Sequence, residues 1–172
     1  GEPSYERIGY YDQDTGLITM LSQVTIGVTS PSSEAYDQYD VITGLAIQDI
    51  NDYCIENLIP YTFDYVIVDN QADGAIALEN TQEFHAAGTD IIMGHGWSTQ
   101  CEESIDYVNE NDMFLFSSSS TAMSLALPDN LYRLATNEYT QGEIIVDLYE
   151  EIGTQAVIIY YHNDWYGEEI SQ

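Results

Sequence analysis

The sequence predicts an α/β protein built on an open, parallel, Rossmann-like sheet. Two observations predict it. Short apolar runs recur at residues 24–28, 61–68, 91–93, 113–116 and 156–160. The segments between most of them place apolar residues near a 3.6-residue period, as at Val41, Ile42, Leu45, Ala46 and Ile50. Strands alternating with helices imply right-handed βαβ units and a parallel sheet. Nothing approaches the ~20 consecutive apolar residues of a membrane span.

Taken in order, residues 1–22 read as an N-terminal extension, polar and rich in Tyr. Arg7-Ile8-Gly9-Tyr10 and Leu17-Ile18-Thr19-Met20 flank a turn signal at Asp12-Gln13-Asp14-Thr15-Gly16, a hairpin pattern. The Asp12-x-Asp14-x-Gly16 spacing hints at a calcium loop, but no Glu stands at its twelfth position, so a plain turn is expected. The first buried strand, 24–28, closes on Ser30-Pro31-Ser32-Ser33, and a long helix follows over 36–57, with Pro60 beyond its end. The second strand is 61–68. Asp69 to Gly74 forms a turn, and a helix over 75–87 stops at Gly88. That turn resembles an EF-hand start, yet Asn80 occupies the position of the bidentate Glu, so a helix cap is expected. Strand 91–93, helix 98–109, strand 113–116 and a short edge strand at 132–134 come next. A helix over 141–151 ends at Gly153, 156–160 reads as another strand, and Tyr166-Gly167-Glu168-Glu169 opens a further helix. A last helix so short cannot cover its strand, so the chain reads as a fragment.

Charge restricts the partners. Two basic residues, Arg7 and Arg133, stand against 30 acidic ones, for a net charge of −28 and no Lys at all. Such a surface repels phosphate backbones and anionic membranes, which excludes nucleic acid and direct membrane insertion as expectations. The charge itself reads as solubility or adaptation to salt. The start of the chain shows no basic segment followed by an apolar one, so any signal peptide is expected to have been removed already. Cys54 and Cys101 fall near the end of one helix and the start of another. In a parallel lobe those ends lie at opposite sheet edges, beyond the ~7 Å between Cα atoms that a disulfide tolerates.

The candidate site is a pair of hydroxyl-rich loops. Trp97-Ser98-Thr99-Gln100 follows the third main strand, and Ser117-Ser118-Ser119-Ser120-Thr121 follows the fourth. Hydroxyls and free N–H groups at strand ends lie where open α/β sheets bind ligands. Enzyme signatures are missing. No G-x-S-x-G elbow surrounds the serines, and a P-loop or phosphoreceiver lysine cannot exist without Lys. No G-x-G-x-x-G follows the first strand, and His85, His95 and His162 lack metal-ligand spacing. No cofactor is expected, and the histidines read as structural or surface residues.

Four segments in this order resemble one family. They are Ile26-Gly27-Val28-Thr29-Ser30-Pro31, Gly44-Leu45-Ala46-Ile47-Gln48-Asp49-Ile50-Asn51, Val68-Asp69-Asn70-Gln71-Ala72-Asp73, and the loop pair Ile92 to Thr99 with Phe116 to Thr121. Arg133-Leu134-Ala135 and Tyr166-Gly167-Glu168 continue the resemblance, which spans about residues 24–170. It is to the type I periplasmic solute-binding proteins, of the leucine/isoleucine/valine-binding, amide and urea-receptor kind. The same fold forms the ligand-binding region of some cell-surface receptors.

The resemblance implies two hinged lobes that close on a solute, with 23–134 as the first lobe and 135–172 as the hinge crossing and an incomplete second lobe. It implies ligand contacts at Ser98 and neighbouring Thr99, at Ser119, Ser120 and Thr121, at Tyr166 from the second lobe, and near Tyr36 over the side-chain pocket. The acidic partner of a ligand ammonium is expected beyond Gln172; Glu138 lies near the hinge, where it could reach the ligand, but is expected to be solvated. Trp97 in place of a small residue, and Ser118 in place of a common Pro, depart from the pattern; Trp97 would narrow the pocket or stack on an amide.

The expected function is capture of a small polar solute (an amino acid, amide or urea-like compound) outside the cytoplasm for an ABC-type membrane importer. A cell-surface receptor or sensor lobe is the alternative, and a surface structural or assembly protein that keeps the fold is a third. A transmembrane segment after residue 172 would distinguish the second from the first. A lattice or filament burying this lobe would indicate the third.

Overall fold

The computed structural model describes residues 9–160. A small antiparallel hairpin pairs β1 (Gly9–Tyr11) with β2 (Ile18–Met20), Tyr10 opposite Thr19. Its turn is closed by the Asp12 carboxylate, which accepts from the N–H groups of Asp14 (2.8 Å) and Thr15 (3.2 Å). A plain Asx turn thus occupies the place of the calcium-like spacing.

The body is a five-stranded parallel sheet in the order β4-β3-β5-β6-β7. Its strands are β3 (Ser22–Ser30), β4 (Tyr61–Asp69), β5 (Ile91–Met93), β6 (Phe114–Ser117) and β7 (Leu131–Arg133). The helices are α1 (Ser33–Glu56), α2 (Gly74–Ala86), α3 (Ser98–Glu110) and α4 (Tyr139–Glu151). The chain steps outward from β3 to β4 and then reverses to β5. That reversal opens a crevice at the carboxyl ends of β3 and β5, the position where doubly wound sheets bind ligands.

Strand alternation assigns the two faces. Gly27, Ile92, Leu115 and Leu131 are neighbours across the ladders and share one face. A Cβ at Gly27 would stand 2.9 Å from the Phe84 ring, so α2 packs here directly on backbone. Phe84, Ile92, Cys101, Val108, Met113, Leu115, Ala122, Leu125 and Leu131 form the core on this side, beneath α2 and α3. α1 lies on the other face, where a Cβ at Gly44 would stand 3.1 Å from the Tyr65 hydroxyl and Asn51 brackets Phe63, accepting its N–H at 2.8 Å and donating to its carbonyl at 2.9 Å. Cys54 in α1 and Cys101 in α3 are therefore buried thiols on opposite sides of the sheet.

On the α1 side the cover stops short. Over β5 to β7, Met93, Phe114 and Tyr132 are exposed, and Tyr132 stacks on Phe114 (centroids 6.0 Å apart) and on Phe116 (5.3 Å).

The strand expected over 156–160 does not form. Ile158 and Tyr160 are 95% and 98% exposed, and no described strand lies beside them to complete a ladder. β-Branched and aromatic residues supply the propensity there, but a strand exists only through its hydrogen-bonded neighbour. Tyr166 and the helix start expected around it lie outside the described residues. Among the described residues no helix is long and apolar enough to cross a membrane.

Candidate functional site

Beside that crevice, at the carboxyl ends of β5 and β6, lies a cleft of about 510 Å³ lined by Gly96, Trp97, Ser98, Thr99, Ser119, Thr121, Glu138 and Gln141. Its floor is the loop from β5 into α3. Gly94 begins that loop at φ +148°, and a Cβ there would overlap the Thr29 hydroxyl, so only glycine lets the loop approach β3 this closely. His95 then enters the interior and Trp97 takes the N-cap position of α3 in extended conformation. The Trp97 N–H donates to Gln100 Oε1 at 3.2 Å, which is the returning half of a capping box. The indole stays 56% exposed in the cleft wall.

The loop after β6 docks on this floor through hydroxyls. Ser117 Oγ donates to the His95 carbonyl at 2.6 Å, and Ser119 Oγ donates to the Gly96 carbonyl at 2.6 Å. Ser98 Oγ accepts the N–H groups of Thr121 (3.3 Å) and Ala122 (3.2 Å). Ser98 is thus a cross-loop tie as well as a cleft residue. The amides that open α3 have no partner within the helix, and the helix dipole adds partial positive charge there. Arg133 supports the second loop from behind, with Nη1 donating to the carbonyls of Ala122 (2.8 Å) and Ser120 (3.5 Å). Arg133, the arginine among the described residues, does not line the cleft.

The charged group in the cleft wall is Glu138, only 8% exposed and so not solvated as expected. Thr121 Oγ1 donates to its Oε1 at 2.6 Å, while Oε2 is buried without a hydrogen-bond partner among the described residues. A buried carboxylate oxygen without a partner is costly unless a cation or donor completes it. The physical cause is placement. The β7-to-α4 connection crosses directly above the Ser119–Thr121 loop and lays Glu138, the N-cap residue of α4, on Thr121. Sequence reasoning placed Glu138 near the hinge but favoured solvation, because only the three-dimensional crossing brings it to Thr121. Its position five residues after Arg133, in the stretch leading to α4, was the one signal available.

The structure brings Ser98, Thr99, Ser119 and Thr121 into one wall, but not all the expected residues. Ser120 is fully buried and bonds inward, its N–H to Ser117 Oγ at 3.1 Å and its hydroxyl to Ser98 Oγ at 3.4 Å. Tyr36 stands in the first turns of α1, outside the cleft lining, one helical turn before the Asp40 that bonds the Tyr65 hydroxyl at 2.9 Å. Residues four apart share a helix face, so Tyr36 follows Asp40 toward β4 and away from the crevice. Among the described residues no group of three His, Cys, Asp or Glu side chains converges as metal ligands would.

The comparisons with known proteins agree with this geometry. Residues 43–172 match the family described as the receptor family ligand binding region. The uncharacterized protein MJ1266 of Methanocaldococcus jannaschii is 28% identical over 138 residues, which cover 76% of this chain and 33% of that protein. Among solved structures, a Desulfitobacterium hafniense ABC transporter substrate-binding protein in complex with Leu superposes with a TM-score of 0.70 at 22% identity, covering 87% of this chain and 45% of that one. The branched-chain amino acid transporter substrate-binding protein LivJ of Streptococcus pneumoniae, in complex with isoleucine, gives 0.68 at 20% identity with the same coverages. A solute-binding protein of R. palustris in complex with 4-hydroxybenzoate gives 0.68 at 13% identity, over 87% of this chain and 42% of that one. The chain thus spans less than half the length of these relatives. The sheet order, the crevice at its switch point and the family match over most of the sequence place this chain in the ligand-binding receptor family of type I periplasmic-binding-protein fold, a family of ligand binders and not of enzymes.

Proposed function

We propose that the chain is the first lobe, residues 23–134, and the opening of the second lobe, residues 135–172, of an extracytoplasmic solute-binding protein. It captures a small zwitterion, of the amino-acid class, for an ABC-type membrane importer. The observation that carries this reading is that one cleft lining holds two charges of opposite sign: the partial positive charge of the α3 N-terminus at Ser98 and Thr99, and the buried Glu138 carboxylate with an unpartnered oxygen. The solute carboxylate sits on the helix end and hydroxyls, a mode that needs no Lys or Arg. Its ammonium completes Glu138. Ser119 supplies backbone contact, and Tyr166 closes from the second lobe, whereas Ser120 and Tyr36 serve as scaffold. Relatives solved with Leu and isoleucine support an amino-acid ligand. The family's receptor description supports a second reading, a sensor lobe at the cell surface with the same cleft.

The test is a thermal-shift panel of amino acids at millimolar concentration, each paired with the carboxylic acid that lacks its amino group, such as L-leucine and 4-methylpentanoate. A ligand at ten times its Kd adds about 1.4 kcal/mol of stability. The expected result is a rise in Tm with zwitterions and not with the des-amino acids. Glu138→Gln should abolish that preference, and Thr121→Ala should lower the affinity about tenfold. A Glu138→Gln protein that still prefers zwitterions, or a panel with no shift at all, refutes the reading.

A further inference from the structure

His95 is fully buried between both sides of the crevice, yet it touches no cleft volume. Its ring meets side chains from four segments. Nδ1 lies 3.5 Å from Asn70 Nδ2 and 3.3 Å from Thr29 Oγ1, and Nε2 lies 3.0 Å from Thr81 Oγ1 and 3.2 Å from Ser104 Oγ. The neighbours dictate which nitrogen carries the proton. Gln100 Oε1 accepts the Trp97 N–H, so Gln100 Nε2 is the donor to Asn70 Oδ1 at 2.9 Å. Asn70 Oδ1 also accepts the Ala72 N–H at 3.1 Å, which turns Asn70 Nδ2 toward His95 as a donor. Nδ1 is therefore the acceptor and Nε2 carries the hydrogen. The Thr81 hydroxyl, which donates onward to the Ala77 carbonyl at 2.8 Å, is free to accept it.

We propose that His95 is a positioning residue for the solute cleft. Its Nε2–H tautomer fixes the direction of a hydrogen-bond chain that runs from the Trp97 N–H through Gln100 and Asn70 into α2, and a proton on Nδ1 reverses that chain and releases the entrance to α3.

The reversal follows from counting donors. A second ring proton would face the Asn70 amide N–H. Turning the Asn70 amide over would then set its NH₂ against the donors of Ala72 and Gln100. Turning Gln100 in response would set its NH₂ against the Trp97 N–H. Each step exchanges an acceptor for a donor, and the disturbance ends at the N-cap where the solute carboxylate is held. Nothing nearby compensates a charged ring. The groups packed on His95 from β3, the Asn70 turn, α2, α3 and β6 are hydroxyls, amides and the Cys101 thiol, which burial keeps protonated. Asp69 and Asp73 on the Asn70 turn direct their carboxylates to the N–H groups of Gln71, Ala75 and Ile76, and Glu138 bonds Thr121. Burial accordingly lowers His95 from 6.5 to about 4. Acidification thus loosens the cleft and lets the solute go, which rests on the solute reading of that cleft.

The experiment uses the full chain with Trp165→Phe, which leaves Trp97 as the single indole. Long-range ¹H–¹⁵N spectra of the histidine rings at pH 7 should show one Nε2–H imidazole that is lost in His95→Gln. Lowering the pH should shift Trp97 fluorescence with the midpoint of that ring, near pH 4, and His95→Gln should lack the step. Asn70→Asp keeps both of its accepted bonds and puts a carboxylate beside Nδ1, so the midpoint should rise by more than one pH unit. L-Leucine affinity should fall at least fivefold more between pH 7 and pH 3 in the His95 protein than in His95→Gln. An Nδ1–H tautomer, a Trp97 signal indifferent to His95 protonation, or an unmoved midpoint in Asn70→Asp overturns the proposal. If L-leucine and the rest of the amino-acid panel fail to bind at pH 7, the solute reading fails, while the tautomer and the Trp97 signal still decide the role of His95.

Discussion

Gly94 has a glycine-only conformation, with φ at +148° and the Thr29 hydroxyl where a Cβ would lie. Gly94→Ala should lower stability by at least about 2 kcal/mol, read as a shift in urea midpoint at constant m value. His95 makes a separate prediction about pH. Its folded pKa of about 4 lies below the unfolded 6.5, so the unfolded chain binds the proton first as pH falls. The stability held by the neutral ring is complete above pH 6.5 and is lost toward pH 4, by on the order of 3 kcal/mol. Denaturant titrations of the protein and of His95→Gln at several pH values should diverge over that window. At this scale the sequence was partly legible. Ser98, Thr99, Ser119 and Thr121 stood out because hydroxyls after a strand are a local pattern. The burial of Glu138 was not legible, since its contact with Thr121 joins residues 17 apart across a chain crossing. Ser120 looked like its neighbours, and only the loop's turn showed that its side chain points inward.

Helix ends carry the predictions at the next scale. α2 begins with Asp73, whose carboxylate accepts from Ala75 (2.9 Å) and Ile76 (3.1 Å). Asp73→Ala should cost about 1 kcal/mol in a denaturation curve, and Asp73→Ser should recover most of it. α1 is capped by Ser32, whose hydroxyl accepts the Ala35 N–H at 3.2 Å, and begins at Ser33, three residues before the start expected from periodicity alone. Caps explain why boundaries read from hydrophobic spacing fall short: capping residues are polar and lie outside the apolar stripe. The elements β3 to β7 were legible because each couples a propensity to a neighbour within the chain. The segment 156–160 has the propensity but no described neighbouring strand, and it lies exposed without regular structure.

For the whole molecule, the net charge of −28 is the dominant long-range force. Self-repulsion opposes the compact state, and raising salt from 0.1 to 1 M shortens the Debye length from about 10 to 3 Å. Tm should therefore climb steadily with NaCl over that range, in scans by circular dichroism. The same field, acting on a cleft lined by Glu138 and not by Arg133, should slow the arrival of anions and hasten that of cations and zwitterions. Parallel sheets are ordinarily covered on both sides. Here Met93, Phe114 and Tyr132 lie bare over β5 to β7, beside a partly shielded Phe116. Expressed at this length, the protein should therefore be sticky in a directional way. It should light up an environment-sensitive dye such as ANS while still folded, and Phe114→Glu with Tyr132→Glu should quench that glow and improve the yield of monodisperse material without altering the cleft.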